Sequence, residues 1–167
     1  MMNLTQTQIK TFRNLKYLAL YLCGPMLGCT GEETSQWREH IKRLLIAYPI
    51  TIADPASRDH SQALKEAQTY EEIQQIDEEI IINDLDDIAA SQVLLCCIWK
   101  NSSGSAMEIY EAWKSRKLII SVVPSKRKIG AWIRYHSTEV VESYPDAITQ
   151  LRKYFPTVFR VGKELDE

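Results

Sequence analysis

Four mainly apolar runs, "KYLALYLC" (16–23), "ITIA" (50–53), "VLLCCI" (93–98) and "LIISVV" (118–123), alternate along the chain with segments of helical periodicity. Strands that are predominantly apolar on both faces need cover on both, and strands that alternate with helices pair in parallel. A doubly covered α/β sheet is therefore the expected architecture. Helices are expected from about Thr34, where Trp37, Ile41, Leu44 and Leu45 recur at helical spacing, over roughly 70–90, and from Ser105. A short strand is expected near "EVV" (139–141), and Ser143-Tyr144-Pro145-Asp146 opens a last helix with proline and an acid in its first turn.

The 167 residues suit one domain. We divide them into a polar leader, loose or helical, over 1–16, a core domain over 17–155 and a tail over 156–167. The run from Tyr17 to Cys29 also has features of an export signal, but Gly24-Pro25 breaks it halfway and it reads better as a first strand ending in a turn. Net charge is −2, which leaves no basic field for nucleic acid, and no other apolar run has the length of a membrane span. The four cysteines, Cys23, Cys29, Cys96 and Cys97, lack metal-ligand spacing with the three histidines, so reduced thiols in a cytoplasmic protein are expected and no metal site is.

Open parallel sheets bind ligands beyond the carboxyl ends of their strands. That rule selects Tyr21 to Gly28, Asp54 to Asp59, Trp99 to Ser105 and Pro124 to Arg134. The polar segment "DPASRDHSQALKEAQ" (54–68) is long for a connection and is a candidate lid. Two acids break or exceed their local pattern. Asp84 lies on the stripe Ile73, Ile76, Ile80 and Ile88, where a carboxylate either sits at a wet helix end or is paired or in use; Asp87 is one turn further on. Glu108 follows Ser105 by three residues, the spacing of a capping box, and stands just after a polar loop, so capping and chemistry both remain open. That loop, Asn101 to Ser105 with Gly104, offers free N–H groups to a small polar ligand, and the chain carries neither a dinucleotide nor a nucleoside-triphosphate loop.

"YLCGPM", "INDLDDIAASQVLL", "SSGSAMEIYEAWKSRKLII" and "WIRYHST", in this order from about Tyr17 to Leu151, resemble the nucleoside 2-deoxyribosyltransferases and their relatives, the 2'-deoxynucleoside 5'-phosphate N-hydrolases. The resemblance implies a flavodoxin-like, doubly wound, five-stranded parallel sheet. It implies a homo-oligomer with sites near subunit contacts, no cofactor, and a nucleoside and a free nucleobase as small-molecule partners. It assigns the nucleophile to Glu108, the base-contacting acid to Asp84 and the residue orienting the nucleophile to Tyr21. Gly24, Pro25, Asp54, Arg58, Asp87, Ser102, Gly104, Ser105 and Arg134 complete the candidate substrate contacts.

Departures from the pattern separate the branches. Ser102 stands where the transferases carry an acid for the sugar 5'-hydroxyl, as in the hydrolases, where a serine meets phosphate. Leu27 and Gly130, however, replace two further phosphate contacts of the hydrolases, with Arg58 and Arg134 as the available substitutes. Gln92 replaces an aspartate before the third strand, which we read as a lost structural contact, and the tail after Phe155 does not match the family's aromatic terminus. The expected function is base exchange on a 2'-deoxynucleoside through a glycosyl-enzyme; hydrolysis of deoxynucleoside monophosphates is the first alternative and non-catalytic nucleotide binding the second.

Overall fold

The computed structural model describes residues 4–58, 60–124 and 129–161. Asp59 and residues 125–128 of the expected ligand loops, together with 1–3 and 162–167, lie outside the described residues. Five parallel strands, β1 (Leu18–Cys23), β2 (Ile50–Ala53), β3 (Val93–Cys97), β4 (Leu118–Val122) and β5 (Glu139–Val141), form one sheet in the order β2-β1-β3-β4-β5. This is the flavodoxin-like order, with its topological switch between β1 and β3. The three mainly apolar strands β1, β3 and β4 are almost wholly buried, as strands apolar on both faces require, and the Ser121 hydroxyl within β4 is satisfied by Ser137 at 2.7 Å.

Helices α1 (Gln6–Asn14), α2 (Gly31–Leu45), α7 (Tyr144–Tyr154) and α8 (Pro156–Val161) cover one face; α4 (Tyr70–Ala90), α5 (Ser103–Lys114) and α6 (Ala131–His136) cover the other. Period-2 geometry sends neighbours to opposite faces, and Cys96 and Cys97 accordingly join different core clusters. Helix starts follow local chemistry. Thr30 with Glu33 and Thr69 with Glu72 form capping boxes that open α2 and α4, so α2 begins three residues before Thr34.

The described parts of the leader and of the tail are helical and pack together. A capping box from Thr5 and Gln8 opens α1, and the Phe12 ring sits 5.2 Å from that of Phe155; Thr157 Oγ1 donates to the Arg13 carbonyl across the same contact. The expected lid contains a 3-10 turn (Pro55–Ser57) and α3 (Ser61–Glu66). Gln92 corrects the expectation of a lost contact: its side-chain oxygen accepts the Ala19 N–H at 2.8 Å and ties the start of β1 to β3.

Candidate active site

Tyr21 and Cys23, two residues apart on β1, both point to the face covered by α4 and α5. Tyr21 is fully buried, and its hydroxyl donates to Glu108 Oε1 at 3.3 Å. Glu108 is not part of a cap. The helix that carries it starts one turn earlier than expected, with Ser102 as N-cap accepting the Ser105 N–H at 3.2 Å. The supposed capping box is thereby corrected, because the loop's first free serine took the cap and left the glutamate to turn inward.

Burial raises the Glu108 carboxyl to about 6, against the opposing influence of the nearby Cys23 thiol and of Tyr21. No hydrogen bond of ordinary geometry reaches its Oε2, although that atom is buried. Burial likewise pushes the Tyr21 phenol upward, reinforced by the charges of Glu108 and Asp84, so Tyr21 stays a proton donor in its hydrogen bonds. Asp84, 14% exposed on α4, pairs with Arg58 Nη2 at 2.7 Å, while Arg58 Nη1 holds Asp87 at 2.5 Å. Burial raises the Asp84 carboxyl; Arg58 and the Tyr21 hydroxyl pull it back, and the Asp87 charge adds a smaller upward push. Glu108, Tyr21, Asp84, Arg58 and Asp87 thus form one connected set from four elements of the fold.

Other candidates fall elsewhere. Asp54 is 7% exposed and belongs to a structural anchor: it pairs with Arg38 Nε at 3.0 Å and Lys42 Nζ at 2.8 Å and caps the 3-10 turn through the Ala56 N–H. Both of its carboxylate oxygens face cations of α2, which makes it the anchor of the turn after β2. Gly24 is required by packing, because a Cβ there would stand 2.7 Å from Trp37 Cζ2 and 3.1 Å from the Cys97 carbonyl; Pro25 beside it is buried. Gly104 has no such constraint, the nearest atom to an added Cβ being Ser102 Oγ at 3.9 Å. Arg134 is exposed, with its guanidinium on the Ile129 carbonyl. Leu27 is 95% exposed.

A cavity of about 330 Å³ opens over Asn101, Ser102, Ser105 and Ala106 and is closed by Gly130 and Trp132 of the α6 start. Glu108 lies one helical turn beyond Ser105, whose buried hydroxyl has no partner. A second cavity, about 510 Å³, lies between α2 and α7, with Trp37, Cys97 and Tyr144 in its walls; neither cavity has any of the five connected residues in its wall, and the first is the nearer to Glu108 along α5.

Two contributors were not anticipated, Cys23 beside the nucleophile candidate and Arg38. Arg38 is 1% exposed, donates to the Thr34 and Gly24 carbonyls, and fixes the turn after β1. It sits on the stripe Trp37, Ile41, Leu45 as Asp84 sits on its own, so the signal that marked Asp84 was also present for Arg38.

The sequence matches no family model, and no curated protein matches it. The fold is shared with solved structures. A 2-deoxyribosyltransferase from Bacillus psychrosaccharolyticus superposes with a TM-score of 0.56 at 17% identity, over 80% of this chain and 95% of that one. A conserved protein from Enterococcus faecalis V583 gives 0.58 at 17% identity, over 82% and 98%. A CMP N-glycosidase from Clostridium botulinum gives 0.48 at 15% identity, over 82% and 99%. At 17% identity the first two likenesses establish the fold alone.

Proposed function

We propose that the protein is an N-glycosyl transferase that exchanges the base of a 2'-deoxynucleoside by a retaining double displacement. The observation that carries this reading is Glu108: buried, with raised proton affinity, tethered through one oxygen by Tyr21, with the Cys23 thiol beside it and no N–H or O–H donor on the other oxygen. An unsatisfied buried carboxylate oxygen costs stability and marks a group held for use. Attack of that oxygen on the anomeric carbon forms a glycosyl ester, and the leaving base takes a proton from Asp84. A second base then attacks the ester from the vacated side, and two inversions retain configuration. Ser102, whose oxygen accepts in the cap, still has its O–H free to meet the sugar's 5' end.

Hydrolysis of deoxynucleoside monophosphates is the second reading, favoured by Ser102 at the position of the family's acid. The two arginines named as substitutes for the missing phosphate contacts are engaged, Arg58 by two carboxylates and Arg134 by a carbonyl. We take the substrate to be a nucleoside on that account.

A homo-oligomer is part of the same proposal. Tyr70, Ile81, Ile82 and Leu85 of α4, Met107 of α5 and Trp132 of α6 are all at least 43% exposed, on the helices that build the site. A helix apolar beyond its core-facing stripe needs a second cover, and another copy of this chain presents the same apolar face for it. No described helix is long and apolar enough to cross a membrane.

Incubation with deoxyinosine, with and without adenine, followed by chromatography tests the reaction. Deoxyadenosine and hypoxanthine should form together only when adenine is present. Acceptor-independent release of base from deoxyinosine 5'-monophosphate would replace this reading with the hydrolase.

A further inference from the structure

Arg58 stands directly after the 3-10 turn that follows β2, and its planar fork reaches two carboxylates one helical turn apart on α4. The turn is pinned at its start, where Asp54 is locked to Arg38 and Lys42. Four groups face Asp84: Arg58 from this loop, Tyr21 from β1, Glu108 from α5 and Asp87 from its own helix. Only one of the four is a cation. The oxygen of Asp84 that Arg58 holds is taken from any base that comes to be protonated there.

We propose that Arg58 is a positioning residue: it clamps Asp84 as a carboxylate in the empty site, and an incoming base displaces it from Asp84 while Asp87 keeps hold of it. Displacement removes the positive partner of a largely buried carboxylate, so Asp84 takes a proton from solvent. That proton passes to the leaving nitrogen as the C1'–N bond breaks and the Glu108–C1' bond forms. The base leaves neutral, Asp84 is again a carboxylate, and Arg58 returns to it. The inference rests on the assignment of Asp84 as the proton donor.

The test uses Arg58→Gln, which keeps length without charge, and Arg58→Lys, which keeps charge without the fork. In the ligand-free protein, the Asp84 side-chain carboxyl is titrated by 13C NMR. Its midpoint should move to higher pH in Arg58→Gln and less far in Arg58→Lys. In a Glu108→Gln background, which binds without turnover, adding Arg58→Gln should tighten deoxyinosine binding roughly fivefold, the scale of one partly exposed ion pair that no longer competes. An unchanged midpoint in both Arg58 variants overturns the clamp. Unchanged or weaker deoxyinosine binding overturns displacement and makes Arg58 a direct substrate contact or a purely structural one. Neither measurement needs turnover, so wild-type protein that fails to exchange bases would remove the transferase reading while these results still decide the role of Arg58.

Discussion

Tyr21 Oη donates to Glu108 Oε1 at 3.3 Å from a residue with no exposed surface. This bond stabilises the charged carboxylate, and so opposes the burial that raises Glu108 to about 6. Tyr21→Phe should therefore move the acid limb of kcat/KM to higher pH and lower kcat at neutral pH. The loss of one buried hydrogen bond should cost about 1 kcal/mol of stability. A pH–rate profile identical to wild type would remove Tyr21 from the catalytic set.

Glu108→Gln and Glu108→Ala should abolish base exchange and leave the protein folded, because Ser102 and not Glu108 caps α5. The stability effect has a sign. The folded carboxyl is raised above its ordinary 4.5 to about 6, so the folded state binds more protons between those values and stability falls as pH rises through that window. Above it the penalty is about 2 kcal/mol, and Glu108→Gln should erase that pH dependence. Urea melts at several pH values, wild type against Glu108→Gln, measure it; parallel pH dependences would show that Glu108 is not desolvated.

Asp54→Ala should destabilise strongly, with the rate per folded molecule little changed. The substitution strands Arg38, which is 1% exposed, and removing one partner of such a buried pair costs about 3–5 kcal/mol. Chemical denaturation alongside active-site-titrated kinetics separates the two effects. A stable protein with a raised KM would return Asp54 to the substrate contacts.

The architecture was legible in the sequence because continuous apolar strands admit few arrangements, and "ITIA", "EVV" and the helix over 70–90 stand where expected. Glu108, Asp84 and Tyr21 were marked by broken pattern, position and resemblance, and the fold brings them together. What the sequence withheld was competition between neighbours. Ser102 and Ser105 are both good caps, and only the loop's path after β3 decides that Ser102 wins and Glu108 turns inward. Asp54 and Arg58 are equally polar residues of one loop, yet Asp54 faces α2 and Arg58 faces α4. No local signal distinguishes those directions, because long-range ion pairs set them. Short α6 and α8 escaped for a related reason: six-residue helices carry too little periodicity to announce themselves and are held by tertiary packing.

Ser102 separates the two leading functions, and its place in the structure makes the experiment clean. Ser102→Asp keeps the N-cap, since aspartate caps as well as serine and its charge suits the helix start, whereas Ser102→Ala should lose about 1 kcal/mol. Any kinetic effect of Ser102→Asp therefore reports on substrate. With a nucleoside, the new carboxylate meets a neutral 5'-hydroxyl and can accept its hydrogen bond, so kcat/KM on deoxyadenosine with an acceptor base should hold or rise. With a 5'-monophosphate, the same carboxylate opposes the phosphate, and kcat/KM should fall at least tenfold, a loss of about 1.4 kcal/mol or more. Arg58, paired with Asp84 and Asp87 in the ligand-free site, is not placed to offset that repulsion at Ser102. We expect wild type to prefer deoxyadenosine over its 5'-monophosphate and Ser102→Asp to widen that preference. A wild-type preference for the monophosphate that collapses in Ser102→Asp, with no product carrying the acceptor base, would make the protein a nucleotide hydrolase.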